Sequence, residues 1–338
     1  MRAKAERVTG EMLAQSNMHQ SAPGAKKQKG TTIETRVMRV PAENGAVANI
    51  PVISGNSFRG RCRRAMAQDL CERVGVQPGQ LDLQITHLLF VGGGLAKGAL
   101  NTLLPEMRSD LRNLLPGLSV FGGSILGTLT EGYAMFGDWV AQVRETPEPC
   151  LWPGTDANAL PTAEQVMYVQ RWVQNSNILT DVYGKDTFER LSDELKAELR
   201  RYQESQEGNE SNDDANGGGL RGSLPYGMEV TTPGTRFVGW LGIDARATDV
   251  ERAALRAAWE SAFQDREVFV GGGSNRGMGL ATLDIDLDVI APSSEPYYEH
   301  VAQHKAEIAA RLTSGLLVPR MKPPQPSKAP KTTKADAN

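Results

Sequence analysis

Hydrophobic positions first recur every second residue. In "RVTGEMLAQ", residues 7–15, Val8, Gly10, Met12 and Ala14 fall on one side, as in a strand with one buried face. A polar loop follows, "SNMHQSAPGAKKQKG", and then a second strand, "TTIETRVMRV". An apolar run at residues 50–53 breaks at Ser54-Gly55-Asn56-Ser57, and the period changes from two to 3.6. Phe58, Cys62, Met66 and Leu70 recur one turn apart. The spacing predicts a helix capped by Asn56 or Ser57, running to about Val74, with that stripe on a sheet.

Residues 76–219 read as an inserted segment of mixed character. It holds the glycine-rich stretches "VGGGLAKGAL" and "FGGSILGTLTEGYAMFG" and a helix start at the capping box Thr162-x-x-Gln165. A charged helix, "DTFERLSDELKAELRRYQES", aligns Leu191, Leu195 and Leu199; the acidic, glycine-rich "EGNESNDDANGGG" after it reads as a mobile loop. The last third is clearer. "TPGTRFVGWLGI" predicts a strand after a Pro-Gly turn, and "ATDVERAALRAAWESAF" an amphipathic helix opened by Thr248-x-x-Glu251. Beyond a glycine-rich loop, Leu283, Ile285, Leu287 and Val289 alternate with aspartates, which predicts a one-sided antiparallel strand.

Setting the insertion aside leaves strand–helix–strand twice, the order of a ferredoxin-like, RNA-recognition-motif-like βαββαβ core, an α+β fold. The expected boundaries are residues 1–75 for the first half of this palm, 76–219 for the insertion and 220–291 for the second half. A C-terminal helix spans 292–318, and a basic proline-rich tail, extended or disordered, spans 319–338.

Composition changes this picture little; the distribution of charge changes it more. The 338 residues are 40% hydrophobic and 23% charged, with net charge −3. Residues 1–73 nevertheless carry thirteen Lys/Arg against six Asp/Glu, and residues 311–338 six against one, leaving an acidic middle. That polarity fits a basic face on an acidic body. Three cysteines without a C-x-x-C suggest neither a disulfide framework nor a zinc site and fit a reducing cytoplasm. Neither a signal-peptide core nor a membrane span is expected.

Arg59, Arg61, Arg63 and Arg64 crowd into barely two turns at the start of the predicted helix. No carboxylate stands three or four residues from any of them, and the positive end of the helix dipole is the wrong place for cations. A docked anion would relieve both penalties, helped by free N–H groups and by Gly55 and Gly60; a solvated basic face is the other reading. "GGGSNRGMG", residues 271–279, lacks the Lys-Ser/Thr of a P-loop and the glycine spacing of a dinucleotide fingerprint, and a strand follows it where both need a helix. It is either a loop that lets Ser274, Asn275 and Arg276 crowd an anion or an ornate hairpin turn.

In order along the chain, "IPVISGNSFRGRCRR", "TPGTRFVGWLGI" with its helix, and "GGGSNRGMGLATL" resemble the RAMP superfamily, the RNA-binding proteins of CRISPR effector complexes. They are most similar to the backbone subunit of the type IV version. The resemblance implies a non-catalytic protein without cofactor or metal that oligomerises along CRISPR RNA and presents it for pairing with a target, DNA for preference. Its partners would be the guide, the target, copies of itself and other effector subunits, with no membrane. Ser54, Asn56, Ser57, Arg59 and Arg63 would meet the RNA backbone, with Arg61 and Arg64 in the same basic cluster. Ser274, Asn275 and Arg276 would form the opposing lip. Ser16, Asn17, His19, Lys26, Lys27 and Lys29, after the first strand, are further candidates. Removing Arg59 and Arg63 should then weaken RNA binding without unfolding the chain. A base-separating thumb is expected within residues 76–230. Some type III backbone subunits cut target RNA with an aspartate in the loop after the first strand; here that loop has no carboxylate.

Three alternatives stand beside this reading. The first is a CRISPR-RNA-processing ribonuclease of the same superfamily with His19 as general base. The second is a metal enzyme built on His300 and His304, although "HVAQH" has Val301 where a zincin needs glutamate. The third is a stand-alone RNA-binding module, for which the glycine-rich strand region offers only Phe269 as a stacking aromatic.

Overall fold

The N-terminal alternation becomes β1 (Glu6–Ala14), with Val8, Gly10, Met12 and Ala14 all buried. β1 is an interior strand of a large antiparallel sheet. On one side it pairs with β11 (Arg236–Ile243), Met12 opposite Phe237; on the other with β13 (Leu280–Ile285), Met12 opposite Leu283. Across this sheet the strands run β12 (Glu267–Phe269), β13, β1, β11, β8 (Trp139–Ala141), β4 (Val47–Ile53) and β3 (Val37–Pro41). β7 (Ala134–Phe136) also pairs with β11. A second sheet joins β2 (Thr32–Ile33), β10 (Ser223–Thr231) and β9 (Met167–Asn175); the last two form a nine-pair antiparallel ribbon. A small hairpin joins β5 (Gly123–Ile125) to β6 (Thr128–Thr130). This α+β arrangement is seen in a computed structural model, which describes residues 5–22, 32–41, 45–81, 83–93, 109, 112–125, 128–175, 193–195, 197, 223–264 and 266–314.

Helices cover the buried face of the large sheet. They are α1 (Gly55–Val74), α2 (Leu83–Val91), α3 (Pro116–Phe121), α4 (Ala163–Val166), α5 (Asp249–Ala262), α6 (Glu295–Gln303) and α7 (Lys305–Ser314). The expected stripe of α1 is buried in full. Ser54, not Asn56 or Ser57, is its N-cap: the Oγ accepts from the Asn56 N–H at 3.3 Å, so the helix starts earlier than the sequence suggested. Gly75 ends it in the left-handed conformation. Both expected capping boxes form, but the one at Thr162 opens only the short α4 before β9 begins.

Phe58 is the hub of the core. Its ring stacks on Trp139 of β8 (5.0 Å between centroids) and Trp259 of α5 (6.0 Å), and Phe263 packs at 5.8 Å. One side chain therefore ties helix to sheet and helix to helix. Gly55 lets α1 start directly beneath the β7–β8 turn, since a Cβ there would collide with the carbonyl oxygens of Phe136 and Gly137.

Several boundaries differ from the expected ones. The segment expected to be an insertion supplies β7 and β8 to the large sheet, and β10 pairs with β9 rather than with the palm, so the large sheet resumes at Arg236. The Leu/Asp alternation ends as a strand at Ile285: Asp286 caps a 3₁₀ turn, its carboxylate accepting from Asp288 N–H, and Val289 is exposed. The C-terminal helix is two helices, with His304 the C-cap of the first. Most of the charged helix at 186–205, the acidic loop and the tail at 319–338 lie outside the described residues.

Phe58→Ala should cost about 3–5 kcal/mol, the usual loss for a fully buried aromatic ring. Chemical denaturation with unchanged slope and a lower midpoint is the expected result; a loss below about 1 kcal/mol would show that the stack is dispensable.

Candidate nucleic-acid interface

Helical phase divides the four arginines. Arg59 and Arg63, one turn apart, turn toward α2 and α3. Arg59 donates to the Phe121 carbonyl; Arg63 donates to the carbonyls of Phe121 (2.8 Å), Gly122 (3.1 Å) and Val91 (3.2 Å). These are carbonyl groups at helix C-termini, which lack intrahelical donors and carry partial negative charge. The missing carboxylates are therefore replaced by helix ends that no local sequence pattern displays. Burial lowers both guanidinium pKa values, that of Arg63 to about 10 with the neighbouring Arg59 charge adding to the effect, so Arg63 remains cationic at neutral pH. Their Nε atoms are buried without a hydrogen-bond partner.

Arg61 and Arg64 belong to a different face. Arg61 lies over the Phe263 ring at 5.3 Å and donates to the Phe269 carbonyl, at the end of β12 where the glycine-rich loop begins. Arg64 is exposed, as are Asn56 and Gln68, while Ser57 and Gly60 are half-exposed on the same side. The helix start also has an anion of its own. Asp138 accepts from the Gly55 N–H at 2.9 Å and pairs with Arg36 at 3.3 Å. That carboxylate, more than eighty positions away, gave no sign of this role in the sequence.

Two of the three motifs, the start of α1 and the glycine-rich loop, meet on the loop after β1. Gln20 accepts from the Ser54 N–H and donates to Ser57 Oγ at 3.0 Å, tying the loop to the start of α1. On the other side the His19 carbonyl accepts from Gly272 N–H and the Asn17 carbonyl from Gly279 N–H, both at 2.7 Å. Ser16 Oγ accepts from Leu280 N–H at 2.9 Å. Gly271 (φ 81°) is required where it stands: a Cβ would run into the His19 carbonyl oxygen. The glycine-rich segment is thus a loop clamped at its neck, with Ser274, Asn275 and Arg276 in an exposed 3₁₀ turn at its tip. Gln20 and Asp138 are the residues that sequence reasoning missed.

His19 is buried rather than solvated. Its Nδ1 lies 2.7 Å from the Glu229 carbonyl, which can only accept, so Nδ1 carries the proton and Nε2 accepts from Ser21 Oγ at 3.1 Å. Burial lowers its pKa, against the opposing pull of Glu229. With both nitrogens used internally it has the geometry of a structural residue, not of a base open to substrate. Lys26, Lys27 and Lys29 lie outside the described residues. The His300 and His304 rings lie 4.7 Å apart and tilted by 40°, but His300 Nε2 contacts the Leu114 carbonyl at 3.4 Å. Among the described residues no group of three or more His, Cys, Asp or Glu could hold a metal ion, and no helix is long and apolar enough to cross a membrane.

No family model matches the chain, and no curated protein matches it. Among solved structures, a chain of a Type IV-B CRISPR complex is similar over 83% of this chain and 90% of that one, at 20% identity and a TM-score of 0.46.

Arg59→Ala with Arg63→Ala should lower stability by on the order of 2–4 kcal/mol, because carbonyl ends of two helices lose their donors. Arg61→Ala with Arg64→Ala should cost less, since Arg64 is exposed and Arg61 gives up only one carbonyl bond, at the surface, and its contact with the Phe263 ring. Parallel thermal melts decide between this division and a single solvated basic face, for which both pairs would be neutral.

Proposed function

We propose that this chain is a non-catalytic, RNA-binding backbone subunit of a CRISPR effector complex, lining up in copies along the guide RNA and holding it for target pairing. The observation that carries the reading is the meeting of two of the motifs, the start of α1 and the glycine-rich loop, on the loop after β1. The start of α1, the polar loop after β1 and the glycine-rich loop are separated by up to about 260 positions, yet are linked through Gln20, Asn17 and His19. The strand order supports a ferredoxin-like core made of β13, β1, β11 and β8, with α1 between β1 and β8 in the chain and α5 between β11 and β13. The β9–β10 ribbon is the proposed base of the thumb.

The phosphate-binding set is narrower than the sequence suggested. Arg61, Arg64 and Arg276, with Asn56, Ser57, Ser274 and Asn275, are assigned to RNA. Arg59 and Arg63 are assigned to the fold, because their guanidinium groups already bridge helix ends. Ser54, Ser16 and His19 shape the loop junction rather than contact the ligand. Neutral hydrogen-bonding side chains beside the cations suit a phosphodiester, which offers acceptors as well as charge. The absence of any carboxylate in the loop after β1 supports a binding role without cleavage.

Expressed beside a CRISPR array, the protein should elute far above its 36.6 kDa chain mass and carry a discrete set of small RNAs. Monomeric elution free of nucleic acid would overturn the proposal. In a second test, Arg61→Ala with Arg64→Ala should reduce the slope of log affinity against log salt by roughly 0.7 for each phosphate of single-stranded RNA that is no longer neutralised. The weakening should be alike for guides of different sequence, since phosphates carry no base identity. An unchanged slope would remove these arginines from the interface.

A further inference from the structure

We infer that Tyr168 is a base-stacking platform at the neck of the glycine-rich loop; this rests on the RNA-binding reading above and adds to it a contact with the bases. Tyr168 stands near the start of β9 and is 44% exposed, one of the exposed large hydrophobic side chains of the described residues. Its hydroxyl is used: Asn17 Nδ2 donates to it at 2.8 Å, and the same amide donates to Gln170 Oε1 at 2.8 Å. The backbone carbonyl of Asn17 in turn accepts from Gly279 N–H, so the phenol is tethered to the residue that clamps the loop.

This is the reverse of how a tyrosine is ordinarily used. A buried tyrosine hides its ring and finds one partner for its hydroxyl; a ligand-bonding tyrosine keeps the hydroxyl open. Here the polar end is satisfied within the protein and the ring is left to solvent. What a tethered, exposed ring offers is a fixed π-face whose side-chain freedom is already spent, so ordering it on binding costs little. The neighbouring chemistry selects the occupant. An arginine, a serine and an asparagine at the tip of the clamped loop suit a phosphodiester, and a base attached to that backbone is the flat partner nearest to hand. Val169 faces the other side of the same strand and is also exposed, so the ribbon is not buried against another element at this point. Phe269, 46% exposed at the start of the loop, is the competing ring, but its side chain has no polar group to fix it.

The test is a cycle between protein and RNA. Full-length protein stripped of copurified nucleic acid is titrated with single-stranded homopolymeric RNA and with the matching abasic chain, which keeps every phosphate and lacks the bases. Wild type should prefer the base-bearing chain by about 10-fold. Tyr168→Leu, which keeps an apolar side chain on the strand, should lose most of that preference and bind the abasic chain as wild type does. Tyr168→Phe, which keeps the ring and loses its tether to Asn17, should retain only part of it. The salt slope should be the same in all three, because no phosphate contact is altered. Equal weakening on both chains for Tyr168→Leu would overturn the inference, and so would a preference abolished by Phe269→Leu and not by Tyr168→Leu. A wild type that binds neither chain in a salt-dependent manner would instead defeat the RNA-binding reading itself. Binding of all variants with no preference for bases would leave that reading standing and remove this one.

Discussion

The stack of Phe58 between Trp139 and Trp259 sets the rotational phase of α1, and the division of labour along that helix follows from it. Successive residues on a helix are about 100° apart. Once position 58 is fixed against sheet and α5, Arg59 and Arg63 must point to one flank, where α2 and α3 end. Arg61 and Arg64 must point toward the other, where Arg61 reaches the end of β12. A helix rotated by about half a turn would exchange these roles. Core packing therefore decides which cations remain available for a ligand.

Arginines at the positive end of a helix are stable here because negative partial charge is brought to them by other helix ends. Carbonyls of Phe121, Gly122 and Val91 take the place of carboxylates, and burial strengthens the attraction while lowering the guanidinium pKa values. At the helix start itself, Asp138 supplies the anion for Gly55 N–H. The positive cluster is thus divided into a half bound to helix ends and a half that lies toward the open side.

The loop after β1 has little regular structure but ties the assembly together. Its backbone carbonyls at Asn17 and His19 hold the glycine-rich loop, and its Gln20 side chain holds the start of α1. His19 contributes by anchoring the loop to Glu229 of β10, which also joins the second sheet to the first. A buried imidazole with two hydrogen bonds is a structural pin, and its burial removes it from solvent chemistry.

The sequence by itself determined the local elements wherever one buried face imposed a period: β1, the stripe of α1, β11, α5 and the two capping boxes are all found where the pattern placed them. It also marked the chemistry of the candidate site, since clustered arginines and a glycine-rich loop are visible without a fold. Tertiary structure decided the rest. That β7 and β8 belong to the large sheet, and that β10 leaves it, depends on strand pairing between distant segments, which a three-residue strand does not announce. The partners of Arg59 and Arg63 are backbone carbonyls, identical in every residue type, so no side-chain pattern could reveal them. Gln20, Asn17 and Asp138 acquire their roles only from what folding brings within hydrogen-bonding distance. Periodicity reports burial of a face; it does not report which distant group will be buried against it.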